Sequence, residues 1–545
     1  MRTLPATLAL LAATLCGAAW SAPHTALTGV TVIDGRGNPP KPNQTLLLEE
    51  DRIAAIYPTG SRPLPDGVTV VALTGKHVIP GLIDSHVHLA TAPDQGEDVA
   101  DNVVNLRHLL HGGVTAVRDM GGDARVLGYL ARQTLLDRID GPDLFYSAII
   151  AGPAFFTDPR TVASSAGFTS GQTPWIRSVT SDSDLPRLLA QAKGAGATGI
   201  KIYRNVPKAL MAPLVEEAHR QGLKAWSHLY VNPASPVSAA EAGMDGVSHA
   251  AYFPGWTDQA YQRWTSQKVF EPAMLERAEV DELLAELKRQ GVIIDATLVI
   301  FDRLSRTLAT PKYINNDLAG VAFVQRAHQA GVRIAAGTDQ GISLEDPTPP
   351  IHDELVLLVE RGGLSPLEAI QAATHHGALL LGREAEFGAI EVGKKANLLV
   401  LNADPIEAIH NTRDIGHVLK NGRFIYRGVE QMNLPFSDAR ALGEQLILSG
   451  QIGNLPGTFS VVQGGIKAEM TQALANMDAV LRQHGMSATD VRKCTVMLAD
   501  IDEWPLANEA YRAYFNQAPL PARSAFATGG LALDARVELE CTAER

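Results

Sequence analysis

Positive charge, cysteine and long apolar runs are all scarce in this chain of 545 residues, and each shortage excludes something. Lys and Arg number 47 against 59 Asp and Glu, a formal net charge of -12. That balance argues against a nucleic-acid partner or an anionic membrane surface, both of which call for a basic patch. Three cysteines are too few for a disulfide framework, and whether Cys494 and Cys541 pair depends on a distance the sequence does not carry. Beyond the N-terminus no stretch is long and apolar enough to span a bilayer.

The N-terminus itself is informative. Met1-Arg2 gives a positive start, residues 4–16 an apolar run, and Ala19-Trp20-Ser21 the small-x-small pattern of a cleavage point. These features predict a signal peptide over residues 1–21 and a periplasmic or secreted protein. Cys16 raises a lipoprotein alternative, against which stands the bulk of Leu15 before it. Low cysteine usage after cleavage suits an exported protein that does not lean on disulfides.

With 46% hydrophobic and 19% charged residues the composition is that of a globular protein, and the length calls for several domains. Residues 26–77 are short β-like runs punctuated by turns, and residues 386–430 read the same way, with Asn421-Gly422 as a hairpin signal. These two pieces predict one small composite β-sandwich flanking a long middle, 78–385. There, strand patterns at 78–83, 114–118, 144–150, 198–203, 224–227, 246–248, 292–298 and 333–337 alternate with helical ones. Helical patterns at 213–221, 280–290 and 318–330 each end near a glycine, Gly222, Gly291 or Gly331. Eight strands with helical crossovers over roughly 250 residues predict an α/β fold, a (β/α)8 TIM barrel. An open doubly wound sheet would need a Gly-rich phosphate loop after its first strand, and there is none.

In a barrel the chemistry gathers at the C-terminal ends of the strands. The first runs into Asp84-Ser85-His86-Val87-His88, where alternation puts His86 and His88 on one side, able to grip one metal ion. The fourth carries Lys201, the fifth ends at His228, the sixth at His249 and the eighth at Asp339. Singly, each has a bland reading: a snorkelling lysine, a core histidine, a helix-capping aspartate. Six of them at one mouth form a candidate metal site. Tyr230 is a candidate to hold substrate with its hydroxyl. Arg204 is a candidate partner for a substrate carboxylate, or else a solvated loop arginine.

The stretches PGLIDSHVHL, GIKIY, WSH, VSH and AAGTD resemble the amidohydrolase superfamily of metal-dependent hydrolases, over residues 26–430. The resemblance implies the two-metal subtype, with His86, His88 and Asp339 on one divalent ion and His228 and His249 on the other. Lys201, carboxylated by CO2, would bridge them; zinc is the leading choice of metal and manganese the alternative. A carbamate replaces a repelling ammonium by two anionic oxygens, which suits that role. The implied reaction is hydrolysis of an amide or related acyl bond by water whose pKa falls from 15.7 towards about 7, with Asp339 as general base. Residues 151–158 resemble the imidazolonepropionase-like and dipeptidase-like branch. Dipeptides or N-acyl amino acids are therefore the expected small-molecule substrates, with a cyclic amide or lactone as the alternative.

Residues 431–545 read as a separate α+β unit, with β-like runs at 445–448, 494–498 and 537–541 and helices at 466–484 and 504–515. LSGQI at 448–452, NEAY at 508–511, PARS at 521–524 and VELE at 537–540 resemble the RidA family of enamine and imine deaminases, a chorismate-mutase-like fold. By that resemblance Arg523 clamps a substrate carboxylate and Glu538 positions the attacking water, at the interfaces of a trimer. Phe436 and Ala525 depart from the tyrosine and cysteine frequent in the family, and export would separate the unit from imines made inside cells. The unit is therefore expected to drive homotrimer formation, with deamination as the alternative. A ligand-binding protein without turnover would call for a missing metal ligand, and all six are present.

Overall fold

The computed structural model describes residues 24–91, 99–257, 270–340, 348–425, 435–455, 461–516 and 519–545. The expected signal peptide lies outside these residues. No helix among them is long and apolar enough to cross a membrane.

The barrel strands are Leu82–Val87, Val114–Asp119, Asp143–Ala151, Gly199–Ile202, Lys224–His228, Gly246–Ser248, Ile293–Asp295 and Ile334–Ala335. They hydrogen-bond in that order and all in parallel, with Ile176–Ser178 added alongside the third. Between first and last strands the ring closes through Ser85 N–H to Ala336 O (3.0 Å) and Asp339 N–H to His86 O (2.8 Å). The first three strands are buried along their whole length, as parallel strands covered by helices must be. Gly291 and Gly331 stand left-handed at the ends of Ala278–Gln290 and Pro311–Ala330, where a side chain would be strained.

Several expected boundaries shift, among them the helix expected at 213–221, which starts five residues earlier at Lys208. The strand expected at 78–83 is two strands: His77–Pro80 pairs with Leu398–Leu401 in the flanking sheet, and Leu82–Val87 opens the barrel. Gly81 is the joint, because a Cβ there would overlap Thr115. An apolar run buried in both sheets carries no period to mark such a break. The strand expected at 292–298 stops at Asp295, and Leu298 already begins the helix Leu298–Thr307. The helix expected at 318–330 starts seven residues earlier at Pro311, a residue well suited to a first turn.

The flanking sheet joins both ends of the barrel segment. Arg423–Phe424, Ile415–Lys420 and Leu398–Leu401 continue through His77–Pro80 into His24–Val32, Lys41–Glu49 and Arg52–Pro58. Leu27, Leu46, Ile53, Val78 and Leu398 are fully or almost fully buried in its core.

The tail sheet runs Ala439–Leu442, Gln445–Leu448, Val537–Glu544, Val491–Leu498, Ala522–Ala527, and Ile466–Gln483 and Trp504–Tyr514 pack on one face. The last strand, which bears Arg523, is almost wholly exposed, so no apolar alternation announces it. Leu455 and Val462 of the tail are buried in the flanking sheet's core, and Gln463 bridges Val70. The tail is therefore seated on the flanking sheet as well as tethered to it. Cys494 and Cys541 face each other on adjacent antiparallel strands, with Cα atoms 4.2 Å apart, and are disulfide-bonded. Cys541→Ser is expected to destabilise the tail by about 2–4 kcal/mol, read as an earlier denaturation of the tail with the unfolding of the barrel unchanged.

Candidate metal centre and active site

The strand ends deliver the six candidate ligands to one place. His86 Nε2 and His88 Nε2 lie 3.2 and 3.1 Å from the same oxygen of Asp339, Oδ1, while His249 Nδ1 lies 3.6 Å from Oδ2. Lys201 Nζ is 3.4 Å from His86 Nε2 and fully buried. The His228 ring centroid is 4.8 Å from that of His249, and its buried Nε2 has no hydrogen-bond partner among the described residues. A buried imidazole nitrogen left without a partner is costly unless something binds it.

Protonation states follow from burial and neighbours. Burial holds His228 well below the usual imidazole range and His249 down at about 3, so both are neutral and able to bind metal. Burial alone would raise Asp339, but His249 and His86 outweigh it and hold its carboxyl well below the usual range. Burial lowers the Lys201 amine to about 8. A neutral amine is the form that reacts with CO2, so a pKa this close to neutrality favours carboxylation. For His86, burial is outweighed by Asp295 and Asp339, and its pKa rises.

Asp295, at the end of the seventh strand, is a site residue that the sequence reading missed. Its Oδ2 takes His86 Nδ1 at 2.6 Å, Arg118 Nη2 at 2.9 Å and Ser248 Oγ at 2.8 Å. The bond on Nδ1 turns Nε2 of His86 towards the mouth. Arg118, buried at the end of the second strand, lies over Trp226 with 4.8 Å to the ring. Gly337 belongs to the same arrangement, since a Cβ there would overlap Asp295 Oδ1. Arg118 ends the expected second strand, but Asp295 lies inside the seventh as expected, 292–298, so no strand end marked it and no local signal joined the two.

Three mouth residues adopt the left-handed backbone without being glycine: His249 (φ 70°), Thr297 (φ 51°) and Asp339 (φ 51°). Such conformations cost on the order of 1–3 kcal/mol each and gather at functional sites. Thr297 Oγ1 sits 3.0 Å from His249 Nδ1, and Thr338 binds the buried Asp84 through its N–H (3.0 Å) and hydroxyl (2.8 Å).

Above the ligands lies a cavity of about 740 Å³, a size that suits a small molecule. His228 and Asp339 line its floor, with Tyr203, Tyr252 and Phe301 on its walls. Tyr203 stacks on Phe155 at 4.4 Å and lies 4.1 Å from the His228 ring. Tyr230 lines the cavity with its hydroxyl donating to Asn232 Oδ1 at 3.2 Å, and Arg204 lines it from just beyond the fourth strand.

The tail's candidate residues do not meet within one chain. Arg523, in register with Cys494, faces the helices, stacked over Trp504 at 4.4 Å and Tyr511 at 4.5 Å and donating to Asn508 at 2.8 Å. Glu538 is in register with Met497, on the opposite face and roughly 14 Å away by strand spacing. Its carboxyl lies against Gly450, where a Cβ would overlap it, and burial together with Glu540 raises its pKa.

Residues 77–425 match the Amidohydrolase family and residues 430–545 match Endoribonuclease L-PSP. Among solved structures, a candidate prolidase from Bifidobacterium longum is 25% identical with a TM-score of 0.58, over 74% of this chain and 95% of that one. A Xaa-Pro dipeptidase with methionine in its active site is 22% identical with a TM-score of 0.60, over 74% and 99%. A. niger ochratoxinase is 21% identical with a TM-score of 0.59, over 74% and 96%. The tail is 39% identical over 109 residues to the 2-iminobutanoate/2-iminopropanoate deaminase of Homo sapiens, 20% of this chain and 79% of the relative. It is 40% identical over 108 residues to the Rattus norvegicus enzyme of that name, 20% of this chain and 78% of the relative.

Asp295→Asn removes the charge that orients His86 and is expected to weaken metal binding by about 10–100-fold, measured by titrating metal-stripped protein. Because the Lys201 amine deprotonates as pH rises through about 8, metal loading in bicarbonate is expected to be greater above that pH than below it. Lys201→Ala should abolish this dependence.

Proposed function

We propose that this chain, which belongs to the amidohydrolase family and ends in a unit of the Endoribonuclease L-PSP (RidA) family, is an exported two-metal hydrolase of dipeptides or N-acyl amino acids. The observation that carries the reading is the convergence of His86, His88 and His249 on Asp339, with Lys201 beside them. The donor set fits two divalent ions. Three residues gather at one point, and His228 Nε2 and a buried lysine of lowered pKa supply the rest of a second position. Bound there, two such ions supply Lewis acidity and make water acidic enough to attack near neutral pH.

The protein's own groups do the remainder. Asp339, ionised at neutral pH, takes a proton from the attacking water and delivers it to the leaving nitrogen. Arg204 binds the substrate carboxylate with its planar fork, and Tyr230, oriented by Asn232, holds the substrate beside His228. Tyr203, Tyr252 and Phe301 shield the reacting bond from bulk water. The dipeptide assignment rests on the prolidase-type neighbours and on a cavity with Arg204 beside its ligand floor. The buried disulfide of the tail supports export, because such bonds persist in oxidising compartments.

The tail's sheet leaves one face bare. Ile447 and Phe526 lie on that face, 43% and 48% exposed, while the helices cover the other. Association of three such faces would bury them, which supports the trimer reading. A second reading, deamination of 2-imino acids by the tail, is favoured by the seat of Glu538 against Gly450 and by the ring-stacked guanidinium of Arg523. Two residues on opposite faces of one chain can form a single site only across a subunit boundary.

Protein purified without chelator is expected to hold two equivalents of metal, and Lys201→Ala to hold far less. One equivalent in both would leave a one-metal enzyme, and none in either would sink the hydrolase reading. With a dipeptide substrate, Arg204→Met should raise KM about tenfold or more with a smaller change in kcat. Light scattering should give a trimer, reduced to monomer by Ile447→Glu together with Phe526→Glu.

A further inference from the structure

We propose that the two units act in sequence on one class of substrate, N-acyl or N-aminoacyl 2,3-dehydroamino acids. The proposal rests on both readings above, amide hydrolysis in the barrel and imine hydrolysis in the tail. A saturated dipeptide releases a saturated amino acid, which has no carbon–nitrogen double bond for a deaminase to hydrolyse. An amide whose nitrogen sits on an unsaturated α-carbon releases an enamine instead.

The steps balance without any redox partner. Water adds to the amide carbonyl and the C–N bond breaks. The N-acyl dehydroamino acid thereby gives the carboxylate of its acyl group, a proton and a 2-enamino acid, whose free amino group sits on the unsaturated α-carbon. Moving a proton from that nitrogen to the methylene carbon gives the 2-imino acid, with a methyl group and a C=N bond. A second water replaces the C=N bond by C=O, releasing ammonia and the 2-keto acid.

Several features of the molecule suit this order of events. The same carboxylate persists through every step, and each unit offers it an arginine, Arg204 in the cavity and Arg523 in the tail. A dehydroamino acid is flat from amide to carboxylate. Aromatic rings stand beside the candidate ligands, Tyr203 4.1 Å from the His228 ring and Tyr252 4.9 Å from the His249 ring, and a ring face can stack on a planar amide. Leu455 and Val462, buried in the flanking sheet's core, hold the tail to the barrel's support in fixed one-to-one ratio. The enamine and imine are short-lived in water, so a second active site held at high effective concentration decides their fate.

The test uses the full-length, metal-loaded protein with N-acetyldehydroalanine and, in parallel, N-acetylalanine. Acetate reports amide cleavage, the keto acid and ammonia report deamination, and semicarbazide added during turnover condenses faster with the imine than with the keto acid, so the initial rate of semicarbazone formation reports the trapped imine. Wild type is expected to cleave the dehydro amide with little trapped imine. Arg523→Ala should raise the trapped fraction several-fold per acetate released, with Arg523→Lys in between. The same variants are also given 2-imino acid generated in situ by an amino-acid oxidase, which tests the tail without the barrel. Equal trapping in wild type and Arg523→Ala would overturn the sequence of reactions while leaving the hydrolase reading intact. Cleavage of the saturated amide alone would do the same. Failure to cleave either N-acetyl substrate, or a standard set of dipeptides, would remove the hydrolase reading and the coupled proposal with it.

Discussion

The carboxylate of Asp295 is the point on which the barrel mouth depends. One oxygen gathers His86 from the first strand, Arg118 from the second and Ser248 from the sixth, all within 2.9 Å. A fully buried carboxylate is costly by itself, and its guanidinium, imidazole and hydroxyl partners offset that cost. In doing so they fix four strand ends relative to one another. His86 can then present Nε2 to Asp339 and Lys201 without free rotation, as a ligand held from behind must. Removing the charge would leave Arg118 buried without its main partner, so the contact is both structural and functional.

Close packing around this carboxylate explains residues that would otherwise look arbitrary. Gly337 lets the last strand pass against Asp295, and Gly81 lets the chain leave the flanking sheet and enter the barrel. The left-handed backbones of His249, Thr297 and Asp339 aim side chains into the mouth at an energetic cost that the surrounding strands sustain. The candidate ligand set is therefore pre-organised by the fold. Neutral His228 and His249 and ionised Asp339 already hold the protonation states that divalent cations require.

The tail is organised on a different principle. Its sheet is covered on one side by Ile466–Gln483 and Trp504–Tyr514 and left bare on the other, and its two candidate residues take opposite sides. A single copy thus contains half of each arrangement the unit could make. The barrel, by contrast, brings its candidate ligands together within one chain. The barrel's candidate ligands therefore meet without a second copy, whereas Arg523 and Glu538 of the tail do not.

The sequence by itself determined the barrel, the flanking sheet built from both ends, the six candidate ligands and the second family in the tail. Those features are written in local patterns: alternation that puts His86 and His88 on one side, strand-then-helix periodicity, and short motifs with fixed residue types. Only the tertiary structure decided the rest. Asp295 and Arg118 are single polar residues in apolar strands, and nothing near them in the chain shows that Asp295 binds His86, 209 residues away, or that Arg118 binds Asp295, 177 residues away. The break at Gly81, the pairing of Cys494 with Cys541 and the opposed faces of Arg523 and Glu538 are likewise matters of distance between strands. A local period cannot report what lies across a sheet, and so the candidate ligands were legible while the groups that hold them were not.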